Sequence, residues 1–151
     1  GEIRLRLRRH PDDRRLVMAA DDEGRPSVTV FERLGHARFG DEGVSLVRCR
    51  LVTGRMHQIR VHLSARSWPI VGDAKYGEPR WQAIAEPGVA RLLESFPRQA
   101  LHAWRLGFSH PITGEPIAVE APVPADMMAL LQACGMAAGD GPEGPPLRQP
   151  G

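Results

Sequence analysis

A run of cationic side chains lies between residues 51 and 66, and no acid interrupts it. Its charged and amide members are Arg55, His57, Gln58, Arg60, His62 and Arg66. Guanidinium groups donate paired hydrogen bonds to oxyanions, so this density of arginine indicates a phosphate or carboxylate ligand. The structural alternative is a solvated helix face on which histidine and glutamine tie a turn to a neighbouring strand.

The spacing of the apolar residues predicts the element that carries these groups. Thr53 and Gly54 interrupt an apolar strand pattern, and Met56, Ile59 and Leu63 then recur on one helical face. We expect that face to enter the core. The cationic residues, His62 among them, would project from the remaining surface near the helix start, where free backbone N–H groups favour anions.

Residues 53–62 (TGRMHQIRVH) and 69–77 (PIVGDAKYG) resemble the third conserved motif of the RluA-type RNA pseudouridine synthases. Flanking segments are similar to the same family, so the resemblance runs from about residue 1 to residue 128. These segments are 11–15, 24–29, 98–103 and 108–114. Met56 departs from the pattern, because the family usually has Thr or Ser there.

The resemblance implies an α+β pseudouridine-synthase fold, in which a mixed, mostly antiparallel sheet with flanking helices surrounds a cleft. It implies isomerisation of a flipped uridine in structured rRNA or tRNA, with no metal or cofactor. Arg60 matches the catalytic arginine that pairs with the family's aspartate and keeps it ionised. Leu101 matches an apolar wall of the base pocket. The residues expected to contact RNA are Arg55, His57, Gln58, His62, Arg66 and Leu101.

Two parts of the family pattern do not occur in this sequence. The family's nucleophilic aspartate lies in a His-Arg-Leu-Asp string, and its base-stacking tyrosine lies in a Lys-x-Tyr string; neither string is present. We therefore interpret the chain as the C-terminal half of a catalytic domain whose N-terminal half is its partner. A cut chain, a split gene or a processed product would all give this pattern.

The sequence also allows other functional interpretations. Asp73 is expected to cap a turn rather than to replace the nucleophile, because the family's acid at this position coexists with the catalytic aspartate. A non-catalytic RNA-binding module is the main alternative for the chain as it stands. A zinc site built on histidines is disfavoured, since His57 and His62 are five residues apart and no cysteine pair has ligand spacing.

Length and composition fit one domain or part of one, with 151 residues of which 42% are hydrophobic and 25% charged. No apolar run approaches the length of a membrane span. Cys49 and Cys134 are far apart in apolar patterns, which favours free buried thiols in a reducing compartment. We expect a cytoplasmic protein with no membrane partner.

Charge is divided unevenly along the chain. Residues 1–66 hold 14 arginines and 9 acids, a balance of +5, whereas residues 67–151 hold 6 basic residues and 9 acids, a balance of −3. The RNA-binding surface is therefore expected in the first half.

The remaining patterns predict the scaffold. Alternating residues indicate a strand at the start of the chain, and further strands over 28–34 and 44–52 joined by a connection at 35–43. A helix over 89–96, a hairpin turning at 111–116 and a last helix ended by Gly135 follow. The expected organisation is a partial catalytic domain over 1–137 and a disordered Pro/Gly tail over 138–151.

Overall fold

The computed structural model describes residues 1–20, 22–77 and 80–137. Its strands are β1 (Glu2–Arg9), β2 (Val17–Ala20), β3 (Arg25–Phe39), β4 (Glu42–Leu51), β5 (Arg105–Ser109) and β6 (Pro116–Glu120). Its helices are α1 (Gln58–Ala65), α2 (Pro87–Glu94) and α3 (Ala125–Ala133). The α+β class predicted from the sequence is confirmed. Every strand pair in the described ranges is antiparallel.

The first sheet has the strand order β2-β1-β3-β4. Strand β1 follows the alternation expected from its sequence: Ile3 and Leu7 are buried, whereas Arg4 and Arg6 are exposed. Strand β2 was not predicted, because four residues are too few to show a clear period of two. It pairs with the second half of β1 and extends the sheet by one edge.

Strands β3 and β4 form a long hairpin, and here the predicted connection at 35–43 is wrong. Strand β3 continues to Phe39, which pairs with Glu42, so the turn consists of Gly40 and Asp41. Gly40 has φ = 72°, a left-handed conformation that glycine adopts without strain. Gly40 therefore forms the turn between β3 and β4, and it lies inside the segment 35–43 that the sequence predicted to be a loop.

An irregularity in β3 explains why the strand pattern weakened there. The pairing register with β4 shifts between Arg33 and Gly35, which is the signature of a β-bulge. A bulge moves later side chains to the opposite face and so breaks the alternation on which the prediction depended. Packing also favours glycine at position 35, since a Cβ there would lie 3.2 Å from the sulfur of Met136.

Helix α1 packs against the part of this sheet that contains β1 and β2. Val61 contributes to a buried cluster with Leu7 and Val17, and Leu63 is also buried. The prediction that Met56 lies on the buried helical face is wrong, because α1 begins only at Gln58 and Met56 is exposed in the turn before it. Ile59 is only partly buried.

A second hydrophobic cluster covers the part of the β3–β4 hairpin that lies near its turn. Helix α2 supplies Val89 and Leu93, and α3 supplies Leu130 and Leu131; Cys134 joins them just beyond α3. The predicted helices near 89–96 and before Gly135 are thus confirmed, with Gly135 at φ = 65°. The partly buried hairpin residues against this cluster are Ala37, Phe39, Val44 and Leu46.

Strands β5 and β6 form the predicted hairpin as a separate two-stranded sheet. Gly114 in its turn has φ = 75°, as expected. One face carries the Arg105–Glu120 ion pair, and the other carries apolar side chains. Leu106 and Phe108 on that apolar face are exposed.

Both cysteines are free thiols, with Cys134 buried and Cys49 partly buried. Burial raises the pKa of each thiol. Among the described residues, no helix combines the length and apolar character needed to cross a bilayer. The predicted tail at 138–151 lies outside the described residues.

Candidate active site

Gln58 joins the turn before α1 to the neighbouring strand β3. Its side chain is only 2% exposed, and its Nε2 donates to the carbonyl of Val28 and to Oγ1 of Thr29, each at 3.0 Å. Its Oε1 accepts from the Thr53 hydroxyl at 2.8 Å and from the Arg55 backbone N–H at 3.0 Å. All four hydrogen-bonding positions of the amide in the plane of the group are therefore used.

This arrangement matches the structural alternative for Gln58 rather than direct contact with RNA. A buried amide with four protein partners has no free edge for a ligand. The Thr53 hydroxyl completes the connection, since it also accepts from the backbone N–H of Val28 at 2.9 Å. Gln58 thus fixes where α1 starts and, through α1, where Arg60 lies.

Arg60 projects from the first turn of α1 onto the carboxylate of Asp73. Its Nε and Nη2 atoms lie 2.7 Å from Oδ2 and Oδ1 of Asp73, which is a bidentate ion pair. The side chains are 12% and 1% exposed, so little water screens the pair. In this chain the carboxylate that faces Arg60 is Asp73.

Asp73 also caps the turn in which it lies, as the sequence predicted. Its Oδ1 accepts from the backbone N–H groups of Lys75 and Tyr76 at 3.1 and 3.2 Å. Burial alone would raise the pKa of Asp73, but the Arg60 hydrogen bonds and these two N–H donors outweigh burial and leave the pKa below its usual value. Asp73 is therefore a fixed anion, engaged on both oxygens.

His57 precedes α1 in a left-handed conformation with φ = 55°. Its Nδ1 lies 2.9 Å from the hydroxyl of Tyr76, and the two rings meet edge to face at 5.5 Å between centroids. Burial and the positive charges of Arg60 and Lys75 lower the pKa of His57. The imidazole is consequently neutral near pH 7.

Tyr76 is the residue of this cluster that sequence reasoning did not assign to the site. The Cζ atom of Arg60 lies 4.8 Å from its ring centroid, and its hydroxyl accepts from the backbone N–H of Val17 at 2.8 Å. The available signal was its position in the 69–77 segment, three residues after Asp73. Tyr76 does not lie in a Lys-x-Tyr string, so the family's motif for the base-stacking tyrosine does not identify it.

His62 is misplaced by the sequence prediction. It was expected to project from the surface, but it is 0% exposed and faces inward with Val61 and Leu63. Neither ring nitrogen has a hydrogen-bond partner. Burial lowers its pKa, so this residue is a neutral core histidine.

The other predicted site residues do not join the cluster directly. Arg55 is exposed in the turn, and Arg66 is exposed at the C-terminal end of α1 rather than near its start. Leu101 is half-buried in the irregular segment before β5, not in a strand, and its carbonyl accepts from Nη1 of Arg98. The structure thus brings together His57, Gln58 and Arg60 with Asp73 and Tyr76.

This geometry can hold a guanidinium in one orientation beside a neutral imidazole. Arg60 has five N–H donors, and its bidentate pair with Asp73 uses the edge formed by Nε and Nη2. Nη1 makes no hydrogen bond to another residue in the described part of the chain, so the remaining edge can bind a second oxyanion. The arrangement therefore suits a group that must stay ionised beside an arginine.

The sequence model of the RNA pseudouridylate synthase family matches residues 1–65. Ribosomal large subunit pseudouridine synthase D of Vibrio vulnificus is 44% identical over 133 residues, which are 87% of this chain and 39% of that protein. Its namesake in Xanthomonas campestris is 45% identical over 126 residues, which are 83% of this chain and 37% of that protein. The chain spans about two fifths of the length of these curated relatives.

A solved structure shows the same likeness in three dimensions. Human RNA Pseudouridylate Synthase Domain Containing 1 superimposes with a TM-score of 0.64 at 31% identity. The match covers 89% of this chain and 51% of that one. The family and the fold implied by the resemblance in the sequence are both confirmed.

Proposed function

This chain belongs to the RluA-type RNA pseudouridine synthases, and we propose that it supplies the arginine side of an active site that isomerises uridine to pseudouridine in RNA. The reaction breaks the bond from the sugar to N1 of uracil, rotates the base and joins the sugar to C5; C5 loses its proton and N1 gains one, so the product is an isomer. The target nucleotide must leave its stack to react. The substrate class we propose is large-subunit ribosomal RNA, which the names of the relatives support.

One observation carries the proposal: Arg60 is held by Asp73 through Nε and Nη2, so that Nη1 remains as a donor for an incoming group. In the family, an arginine at this position pairs with the nucleophilic aspartate. A second carboxylate at the open edge would be stabilised in its charged form, as a nucleophile requires. The bidentate ion pair fixes where that edge lies within the plane of the guanidinium.

Asp73 is not proposed as the nucleophile. Both of its oxygens are engaged by Arg60, and Oδ1 also accepts two backbone N–H groups. A nucleophilic carboxylate needs a free lone pair directed at the sugar or the base, and these bonds oppose that. We propose instead that a separate segment bearing the His-Arg-Leu-Asp string supplies the nucleophile and completes the cleft.

Leu101, Arg55, His57 and Arg66 keep their proposed roles around the flipped nucleotide. Arg55 and Arg66 are exposed and can contact phosphate, and His57 can offer its Nε2 to the RNA. Leu101 would wall the base pocket once the cleft is complete. Gln58 and His62 are buried, so we propose that neither contacts RNA and that Gln58 acts by holding the motif in place. A cytoplasmic location is supported by the two free thiols.

The decisive experiment measures pseudouridine formation on large-subunit ribosomal RNA by residues 1–151 alone, by the complementary segment alone and by both together. We expect product only from the pair. The Arg60→Ala pair should be inactive while much RNA binding survives, and Arg60→Lys should recover little, because an ammonium lacks the planar fork.

Each arm can contradict a different part of the proposal. Turnover by residues 1–151 alone would show that the nucleophile lies in this chain and would return Asp73 to consideration. Near-normal turnover by the Arg60→Ala pair would show that another residue orients the nucleophile. RNA binding without turnover by the wild-type pair would favour the alternative function, a non-catalytic RNA-binding module.

A further inference from the structure

Tyr76 connects three parts of the molecule that are distant in sequence. Its hydroxyl accepts from the backbone N–H of Val17 in β2 at 2.8 Å and lies 2.9 Å from Nδ1 of His57. Its ring lies against the Arg60 guanidinium, with 4.8 Å between Cζ and the ring centroid. Its own backbone N–H donates to Asp73 at 3.2 Å. Among the described residues, Tyr76 is the aromatic residue that forms a cation–π contact with Arg60.

The ion pair with Asp73 leaves one motion of Arg60 weakly restrained. Two parallel hydrogen bonds define where the edge of the guanidinium lies within its plane. The same two hydrogen bonds restrain rotation of the guanidinium out of the carboxylate plane only weakly. A small rotation of this kind leaves both hydrogen-bond lengths almost unchanged. An aromatic face against the guanidinium opposes that rotation through stacking and cation–π attraction.

The ring can serve as such a support because it is itself fixed at both ends. Its backbone N–H is bonded to Asp73, and its hydroxyl is bonded to Val17, which is buried in β2. The hydroxyl accepts the Val17 N–H, so its own proton is free for Nδ1 of His57. This leaves the proton of the neutral imidazole on Nε2, the nitrogen that Tyr76 does not contact.

We propose that Tyr76 is a positioning residue: its ring sets the plane of the Arg60 guanidinium, and its hydroxyl sets the tautomer of His57. The inference rests on the proposed function of Arg60 as the group that orients the nucleophile. It assigns Tyr76 to the arginine side of the cleft and not to stacking on the target base. Tilting Arg60 would misdirect its open edge, and small misplacements of catalytic groups are costly in rate.

The first test needs no turnover and uses nitrogen-15 NMR of the full chain. The Nε–H resonance of Arg60 should move when Tyr76→Leu removes the ring, because the ring-current shift disappears, and should move little in Tyr76→Phe. The His57 nitrogens should report the Nε2–H tautomer in the parent and lose that preference in Tyr76→Phe. Trp104→Leu is the matched control, since it removes a similar contact, Arg105 over Trp104 at 4.9 Å.

The second test measures kcat, KM and RNA affinity with the complementary segment present. We expect kcat to fall about 100-fold in Tyr76→Leu and about tenfold in Tyr76→Phe. RNA affinity should change by less than about threefold in both, because the lost interaction orients the nucleophile and does not hold the RNA. Trp104→Leu should keep the parent's kcat.

Specific results would overturn the inference. An unshifted Arg60 resonance in Tyr76→Leu, or an unchanged His57 tautomer in Tyr76→Phe, would show that Tyr76 does not hold these groups. Parent-like kcat in Tyr76→Leu, or equal losses of kcat and RNA affinity, would remove the positioning role. If Tyr76→Leu does not fold, Tyr76→Phe decides through the His57 tautomer and its kcat. Failure of the proposed isomerase activity is seen separately, as absent turnover by the parent.

Discussion

At the scale of single residues, the two histidines of the motif have different environments although they are five positions apart. His57 lies at the rim of the cluster, with Nδ1 bonded to Tyr76. His62 lies wholly inside, with both ring nitrogens unpaired. A buried polar group without a hydrogen-bond partner lowers the stability of the folded state, so we expect the His62 imidazole to destabilise the protein.

The replacement His62→Leu tests this description, because leucine has a similar volume and no polar atoms. We expect the free energy of unfolding to rise by about 1 kcal/mol, since unpaired buried groups cost about 1–3 kcal/mol. RNA affinity should change by less than about twofold, because a side chain without exposed surface cannot contact a phosphate. Urea unfolding and RNA titration measure the two effects. A large loss of RNA affinity in a folded variant would restore His62 to the RNA-contacting set.

At the scale of elements, α1 depends on one buried amide for its position. The hydrogen bonds of Gln58 run to strand β3 on one side and to the turn at Thr53 and Arg55 on the other. Helix α1 is eight residues long and lacks a side-chain cap. Short helices are marginal without tertiary contacts, so this connection and the packing of Val61 stabilise α1.

Replacing Gln58 by Leu should therefore destabilise the protein. The change leaves several buried partners unpaired, and we expect the free energy of unfolding to fall by about 2–4 kcal/mol. Gln132→Leu is the matched control, because Gln132 is exposed on α3; it should change stability by less than about 0.5 kcal/mol. Chemical unfolding of both variants provides the comparison. Equal stabilities would mean that α1 is held by apolar packing alone.

The same element presents its exposed cations to solvent at either end. Arg55 lies before α1 and Arg66 directly after it, and both are exposed. Binding to phosphates releases counterions, so the affinity for structured uridine-containing RNA should fall as salt rises. Arg55→Ala and Arg66→Ala should each reduce the slope of log affinity against log salt by about 1.

Arg91→Ala is the control for this titration, since Arg91 is exposed on α2 in the acidic half of the sequence. It should leave the slope unchanged. Binding that does not depend on salt, or an equal effect of Arg91→Ala, would place the RNA-binding surface elsewhere.

At the scale of the whole molecule, several groups with lowered pKa values act on stability in the same direction. Burial lowers the pKa of His57 and of His62, so each is neutral in the folded chain over a range in which the unfolded chain is protonated. The pKa of Asp73 is lowered by Arg60 and backbone N–H groups against the effect of burial, and the pKa of Asp126 is lowered chiefly by Arg98. In both cases the unfolded state binds more protons as pH falls.

The free energy of unfolding should consequently decrease on acidification in two ranges. The histidine contribution is present above the ordinary histidine value of 6.5 and is lost below it. The aspartate contribution is present above 3.8 and is lost as pH falls further towards the lowered values. Urea unfolding between pH 2.5 and pH 8 measures both. The decrease in stability below pH 6.5 should be smaller in His62→Leu, and the decrease below pH 3.8 should be smaller in Asp73→Asn. A free energy of unfolding that rises below pH 4 would contradict the expected effect of the aspartates.

The sequence by itself determined the local features of this protein. The alternation in β1, the glycine turn of the β5–β6 hairpin and the helices near residues 90 and 130 follow from short-range periodicity and turn chemistry. The motif at 53–62 indicates the family and the role of Arg60. These inferences hold because they depend on residues a few positions apart.

Only the tertiary structure decided which faces of the helices and strands point inward and which distant residues contact one another. The start of α1 at Gln58 turned His62 inward and left Met56 outside, because each residue advances a helix by about 100° and spacing alone does not fix the starting point. The bulge near Gly35 similarly hid the second half of β3. Tyr76 meets Val17 from 59 residues away, and Arg60 meets Asp73 from 13 away. Such contacts are selected by packing of the whole chain, which no local pattern records.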